Sequence, residues 1–407
     1  MSDIARLHTR PRLTPDGADI SLPGWVYGNQ EFHELEHRYI FQTSWNVLCH
    51  LSDIPNVGDY QAMDIHGERV FGIRAEDQNI RVFYNVCRHR GHALVAGSKG
   101  SARPVIRCPY HSWTYCLDGR LRAISAREGS TKIKLSQLPK DKFNLRELES
   151  EIYLGFIWFR FVAGGPSVRD RFAPVADELE LLKFDRIEPH RDHYEYDLGC
   201  DWKTVMDNFN ECYHCPAGHP SLTALFDARA GGEDAYETRL TRQWGDVAKK
   251  PSKYWSGRLY QRLLPDNEVL PVNYRRRWLY YVLYPLVWID VQPDQIDYVQ
   301  LLPQGPGKTR ARGCVYTHGD YSREMEAARF LADRINASTQ REDDEFTASV
   351  QRGLLSQSYT AGLLSEDEHL VASLHEWIRQ DIPVARMIDR PAAGAVHSVN
   401  AEMVCHV

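Results

Sequence analysis

The strongest constraint on this 407-residue chain is a pair of short motifs, Cys87-Arg-His89 and Cys108-Pro-Tyr-His111, separated by eighteen residues. Each half brings one thiol and one imidazole. The flanks, Arg81 to Val86 and Pro104 to Arg107, read as strands running into loops. Two thiolates and two imidazoles suit a [2Fe–2S] centre in which the Cys pair holds one iron and the His pair the other. Structural zinc competes for such a set, but zinc modules usually pair Cys with Cys and His with His. The mixed order favours the cluster, held between two hairpin tips.

The stretches Asn85-Val-Cys-Arg-His-Arg-Gly91 and Cys108-Pro-Tyr-His-Ser-Trp-Thr-Tyr115 resemble the cluster motif of the Rieske non-haem iron oxygenases. A simple Rieske ferredoxin would end soon after, whereas this chain runs on for almost three hundred residues. Asp201-Trp-Lys-Thr-Val-Met-Asp-Asn-Phe-Asn-Glu-Cys-Tyr-His-Cys-Pro-Ala-Gly-His219 carries the next concentration of metal-binding side chains. On a continuous helix Asp207, Glu211 and His214 would share one face. Pro216 and Gly218 are expected to end that helix and let His219 turn back towards His214. Two imidazoles beside carboxylates suit a 2-His-1-carboxylate Fe(II) site with positions open for dioxygen and substrate.

Trp202-Lys203, Asp207-Asn208, Glu211, Tyr213-His214 and His219 also sit at the spacing of the family's mononuclear-iron motif. The resemblance implies His214 and His219 as iron ligands, with a third carboxylate ahead of a Gln-x-Gly element, here Gln351-Arg-Gly353. Asp343, eight residues before Gln351, is preferred on that ground to Asp344, seven before. For Glu211 the resemblance implies a bridge between a cluster His of one subunit and an iron-ligating His of its neighbour, and hence a homotrimer. Most ring-hydroxylating members carry Asp at that point. Glu, and the run Glu-Cys-Tyr-His-Cys, look like the glycine betaine, choline and carnitine oxygenases. The expected substrate is therefore an N-methyl or quaternary ammonium compound, with an aromatic ring-hydroxylating dioxygenase large subunit as the alternative. Tyr280, Tyr281, Tyr284, Trp288, Tyr254 and Trp255 are candidates for a cage whose ring faces attract the cation.

The remaining readings are mostly exclusions. A formal charge of −6 argues against a nucleic-acid partner. No opening stretch has signal-peptide order, and apolar runs such as Trp278 to Tyr284 are too short to span a bilayer, so a cytoplasmic protein without membrane contact is expected. Nine cysteines do not make a disulfide framework at this length, and Cys212 and Cys215 are expected to pack around the iron site. Gly305-Pro-Gly-Lys-Thr309 lacks the leading Gly of a phosphate loop and reads as a turn. No G-x-G-x-x-G fingerprint follows a strand, so electrons from NAD(P)H are expected through a separate reductase.

The fold class expected is α+β, an antiparallel β Rieske domain inserted into a catalytic domain with a helix-packed antiparallel sheet. Residues 1–40 form an arm and helix of the catalytic domain, 41–160 the Rieske domain and 161–407 the mononuclear-iron domain. The polar, Gly-rich segment from Leu222 to about Asn273 is expected as an irregular entrance loop. Met325, Ala328, Leu331 and Ile335 form the apolar stripe of a C-terminal helix.

Overall fold

In the computed structural model, which describes residues 19–124 and 139–405, the chain separates into two units, Met1–Phe41 with Arg171–Val407 and Gln42–Asp170. Of the terminal Cys405-His406 pair, Cys405 is exposed and His406 lies outside the described residues. No helix among the described residues is long and apolar enough to cross a membrane.

The smaller unit is made of three antiparallel sheets. One holds Asn46–His50, Phe156–Arg160 and Glu149–Tyr153, and a second holds Ile80–Tyr84, Glu68–Arg74, Asp59–Ile65 and Lys99–Ser101. The third is a short meander of Ile106–Arg107, Thr114–Tyr115 and Leu121–Ala123. Phe71, Ile73, Phe83, Ile106 and Tyr115 pack in one core with Cys87 and Cys108, so both thiols sit at its edge. Burial of these side chains stabilises the loops that carry the motifs.

The larger unit is organised by one antiparallel sheet. Its main strands are β1 (Tyr194–Leu198), β2 (Phe226–Tyr236), β3 (Leu240–Val247), β4 (Arg277–Leu283), β5 (Val287–Val291), β6 (Ile296–Gly305) and β7 (Lys308–Thr317). The order runs β2-β3-β4-β5-β6-β7-β1, with the short strand Glu188–Pro189 also pairing with β7. Its longer helices include α1 (Gln30–Glu36), α2 (Trp202–Phe209), α3 (Trp255–Leu263), α4 (Arg323–Leu354) and α5 (His369–Asp381). The α+β class expected from the sequence is the class observed. Phe32, Trp202, Met206, Trp288, Val299 and Leu374 join one core in which α1, α2 and α5 meet the sheet.

The segment from Leu222 to Asn273 is not an irregular loop. It forms the β2–β3 hairpin and α3. The Gly231-Gly232 pair that suggested a loop lies inside β2, where a Cβ on Gly232 would come within 2.4 Å of the Trp244 indole on β3. Glycine is there to admit a ring between two strands, a packing reason that composition does not reveal. Trp255 begins α3, exposed, with the Arg334 guanidinium 4.8 Å from its ring centroid.

α2 starts where the Asp201 side chain accepts the Lys203 amide, and Trp202 and Met206 bury the face it turns to the core. It stops at Phe209, because the Asn210 side chain donates to the Met206 carbonyl at 2.8 Å and satisfies the helix end. Lys203 is fully buried and pairs with Glu36 of α1 and, at 2.6 Å, with Asp201. Burial pushes the Asp201 carboxyl up to about 6, against the pull of the Lys203 ammonium. Removing the ammonium strands two buried acids, so Lys203→Ala should cost about 3–5 kcal/mol, read as a shift in the denaturant midpoint.

Candidate metal centres

In the smaller unit the two motif loops repeat one conformation. Gly91 donates its amide to the Cys87 carbonyl at 2.9 Å, and Ser112 does the same to Cys108 at 3.0 Å. Both residues have positive φ, 76° and 59°, which the tight return of the chain requires. Tyr115 lies between the loops, its hydroxyl 3.4 Å from Cys87 Sγ and accepting the Arg88 amide at 3.1 Å. The thiols of Cys87 and Cys108 are buried and in contact with each other. The rings of His89 and His111 lie outside them, centroids 4.7 Å apart and nearly perpendicular, with Trp113 stacked on His89 at 4.9 Å. The buried His111 Nδ1 has no hydrogen-bond partner among the described residues. Two inner sulfurs, two outer imidazoles and an orphaned ring nitrogen fit a [2Fe–2S] cluster of mixed ligation.

The second centre does not lie on one helix face. α2 ends before Glu211, and Glu211 and His214 occupy the loop that follows. Pro216 does not terminate a helix either. It opens the short helix Cys215–Gly218, where its missing amide costs nothing, and His219 follows directly before the turn Pro220–Thr223. The sequence periodicity was right that Glu211 and His214 meet, but it wrongly placed Asp207 with them and was wrong about the backbone. Cys212 and Cys215, expected to pack as thiols, close a disulfide across the His214 turn, with their Cα atoms 4.9 Å apart.

His214 Nε2 and His219 Nε2 are 3.0 Å apart, and Asp343 Oδ1 on α4 lies 3.6 Å from the first and 2.9 Å from the second. The other ring nitrogen of each His faces a carboxylate. Glu211 takes His214 Nδ1 and also accepts the His214 amide at 3.0 Å, while Glu342 takes His219 Nδ1 at 2.7 Å. With a carboxylate at each Nδ1 to hold a proton there, each ring is oriented so that its Nε2 can donate a lone pair to a metal. Two imidazole nitrogens and a carboxylate oxygen thus lie within 4.8 Å of one another, an arrangement that could hold a metal ion. The donor set fits a facial iron site with a carboxylate holding each imidazole. Asp344 points elsewhere, its Oδ1 accepting Gln340 at 2.9 Å.

Gln351 ties this region together. Its carbonyl oxygen accepts the Asp201 amide and the Thr204 hydroxyl, and its amide donates to the Tyr27 carbonyl at 3.1 Å. Asp207 does not face the metal donors' convergence point. It accepts from Tyr27 at 2.5 Å and from the buried His375 at 2.8 Å. Together with Glu211, His214 and Phe346 these side chains line a cleft of about 480 Å³. Tyr213, Phe346 and Val350 are exposed apolar side chains on the segments that form it. Sequence reasoning missed Glu342 as the holder of His219. A carboxylate next to a candidate ligand was the available signal, but it was read as part of a charge run.

One unit offers a cluster scaffold and the other a His-His-carboxylate site, which together define a two-centre redox enzyme. Residues 44–139 match the family model for the Rieske [2Fe-2S] domain, and residues 184–383 that for the catalytic domain of ring-hydroxylating alpha subunits. The 2-aminobenzenesulfonate 2,3-dioxygenase subunit alpha of an Alcaligenes sp is 30% identical over 302 residues, 71% of this chain and 72% of that one. The carnitine monooxygenase oxygenase subunit of Escherichia coli (strain K12) is 27% identical over 382 residues, 88% of this chain and 93% of that one. In fold, the chain is similar to the crystal structure of the quaternary ammonium Rieske monooxygenase CntA in complex with L-carnitine. The TM-score is 0.73 at 24% identity, over 89% of this chain and 96% of that one. The chain belongs to the Rieske non-haem iron oxygenases.

Proposed function

We propose that this chain is a terminal oxygenase component acting on an N-methyl or quaternary ammonium substrate. Cys87, His89, Cys108 and His111 hold the [2Fe–2S] cluster, and His214, His219 and Asp343 hold Fe(II). The observation that carries the reading is the convergence of His214, His219 and Asp343 within 4.8 Å, with the outer nitrogen of each imidazole held by Glu211 or Glu342. Iron bound there supplies dioxygen activation, with one or two oxygen atoms entering the substrate. Hydroxylation of a methyl carbon on a quaternary nitrogen would take one atom of dioxygen, the other leaving as water with two electrons and two protons, and the hydroxymethyl ammonium then loses a proton and formaldehyde to leave the demethylated amine.

Electrons come from NAD(P)H through a separate reductase. Glu211 is the acid through which they reach His214 from the cluster of a neighbouring subunit in a homotrimer. Its place at the cleft supports that role, because apolar side chains left exposed on the same segments suit a surface that a second copy covers. The similarity to a carnitine monooxygenase subunit supports the substrate class.

Single turnover of chemically reduced, iron-replete protein with betaines, carnitine, choline and aromatic acids tests the reading, with products identified by mass spectrometry. A demethylated or cleaved amine is expected, and a hydroxylated aromatic would overturn the substrate assignment. His214→Ala should abolish turnover and empty the mononuclear site while leaving the visible spectrum of the cluster unchanged. Turnover that survives this substitution would remove His214 from the ligand set.

A further inference from the structure

Across the sheet, Tyr280 of β4, Asp290 of β5 and Asp297 of β6 are direct register partners, so their side chains stand in a row on one face. That face looks at α2. Tyr280 meets Phe209 edge-on at 6.0 Å, and Trp288, two residues before Asp290, stacks on Phe209 at 4.6 Å. Phe209 is the last residue of the helix that leads into the metal-binding loop. The row is therefore on the side of the sheet from which the metal centre is built.

Two carboxyls in such a place need a partner. Tyr194 reaches across Gly313, where a Cβ would come within 2.4 Å of its hydroxyl, and donates to Asp297 at 2.6 Å. The Trp288 side chain donates a hydrogen bond to the Asp290 carboxyl, but Asp290 Oδ1 and Asp297 Oδ1 are both buried with no hydrogen-bond partner among the described residues. Among the described residues no Lys, Arg or His forms an ion pair with either acid. Burial and, for Asp290, the neighbouring Asp297 push both carboxyls up, Asp297 to about 8. Both residues nevertheless keep some accessible surface although they lie deep in the protein, as do Tyr194, Tyr196 and Tyr280, so these side chains line an internal space. Tyr196 links that space to the metal centre, since it stacks on Tyr194 and its hydroxyl donates to Gln340, one turn before Asp343 on α4. Buried carboxyls without a counter-charge cost folding free energy as anions, so they hold a proton unless a cation joins them. Aromatic faces beside them strengthen the case for an organic cation.

We propose that Asp290 and Asp297, walled by Tyr194, Tyr196, Tyr280 and Trp288, form the charge-reading floor of the substrate chamber. This floor selects an amine of net positive charge, without a carboxylate close to its nitrogen, over a zwitterion. The proposal rests on the N-methyl or quaternary ammonium reading above and narrows it. A bound cation draws both acids into their ionised form, and a carboxylate carried close to the nitrogen would then be brought against two charges that no basic side chain neutralises.

The test is calorimetric binding to the iron-replete protein of trimethylalkylammonium cations, choline among them, against the matched carboxylate-bearing betaines. Single-turnover product analysis is run in parallel. The cations should bind at least about tenfold more tightly than their betaine counterparts, a difference of about 1.4 kcal/mol. Asp290→Asn and Asp297→Asn should each remove that preference while cluster absorbance, iron content and melting temperature stay near the parent values. Equal or tighter binding of the betaines, no binding of any cation, or cation affinity unchanged in both variants would overturn the proposal. If cations bind with the stated preference but no demethylated amine forms, the demethylase reading falls and the acidic floor stands. If the amine forms with no charge preference, the reverse holds. Should one variant fail to fold, the other and the parent's cation-to-betaine ratio still decide the matter.

Discussion

Asp343→Asn should lower turnover by at least about a thousandfold and release the mononuclear iron, while Asp344→Asn should stay within about twofold of the parent. The two neighbours differ in what they touch. Asp343 Oδ1 closes the triangle with His214 and His219, and its residue also turns a carbonyl to the Thr347 hydroxyl at 2.8 Å, which holds that turn of α4. Asp344 is exposed and bonds only along its own helix, to Gln340. An amide in place of Asp343 keeps one oxygen but loses the charge that balances Fe(II). Iron analysis beside single-turnover yield separates the two outcomes. A fully active, iron-loaded Asp343→Asn protein would mean that the third ligand comes from elsewhere.

Glu211→Ala should be nearly as damaging, by a different route. At saturating iron, turnover should fall about a hundredfold or more while both metal centres remain filled. The carboxylate makes two contacts with His214, one to the ring and one to the amide, and the ring contact lies on the proposed path of electrons from the cluster. Loss of such a partner alone weakens metal affinity by about 10–100-fold, which excess iron offsets. Slow electron transfer is not offset in that way. Rapid mixing of the reduced variant with dioxygen should show the cluster staying reduced long after the parent has reoxidised. Reoxidation at the parent rate would confine Glu211 to holding the imidazole. Glu342→Gln is the matched control, because it touches His219 in the same manner without lying on that path.

Much of the site was legible because metal chemistry fixes residue type and rough spacing. The four cluster residues and the His214, His219 and Asp343 trio could be named from motifs, and the structure brings each set together. What the sequence concealed was backbone path. Asp207, Glu211 and His214 have helical spacing, yet Asn210 ends the helix by taking the Met206 carbonyl for its side chain, so Asp207 turns to Tyr27 and His375 instead. The β2–β3 hairpin was hidden for a related reason. Its strands are half-exposed and mixed in character, and their glycines answer to a neighbouring indole rather than to a turn. Asp290 and Asp297 carried no signal at all in the chain. Each looks like an ordinary polar residue in a strand until the register sets one opposite the other.

The metal donors stand on α4 and on a loop bracketed by the Cys212–Cys215 disulfide, whereas the paired acids stand on the sheet beneath α2. The two layers lie on different segments of the chain. If the strand acids read substrate charge as proposed, exchanging one of them for an amide would alter which molecules are consumed and leave the handling of electrons and oxygen as it was. Diversification in such a scaffold would thus be written into the sheet, and descendants with unlike diets would keep the same inorganic heart.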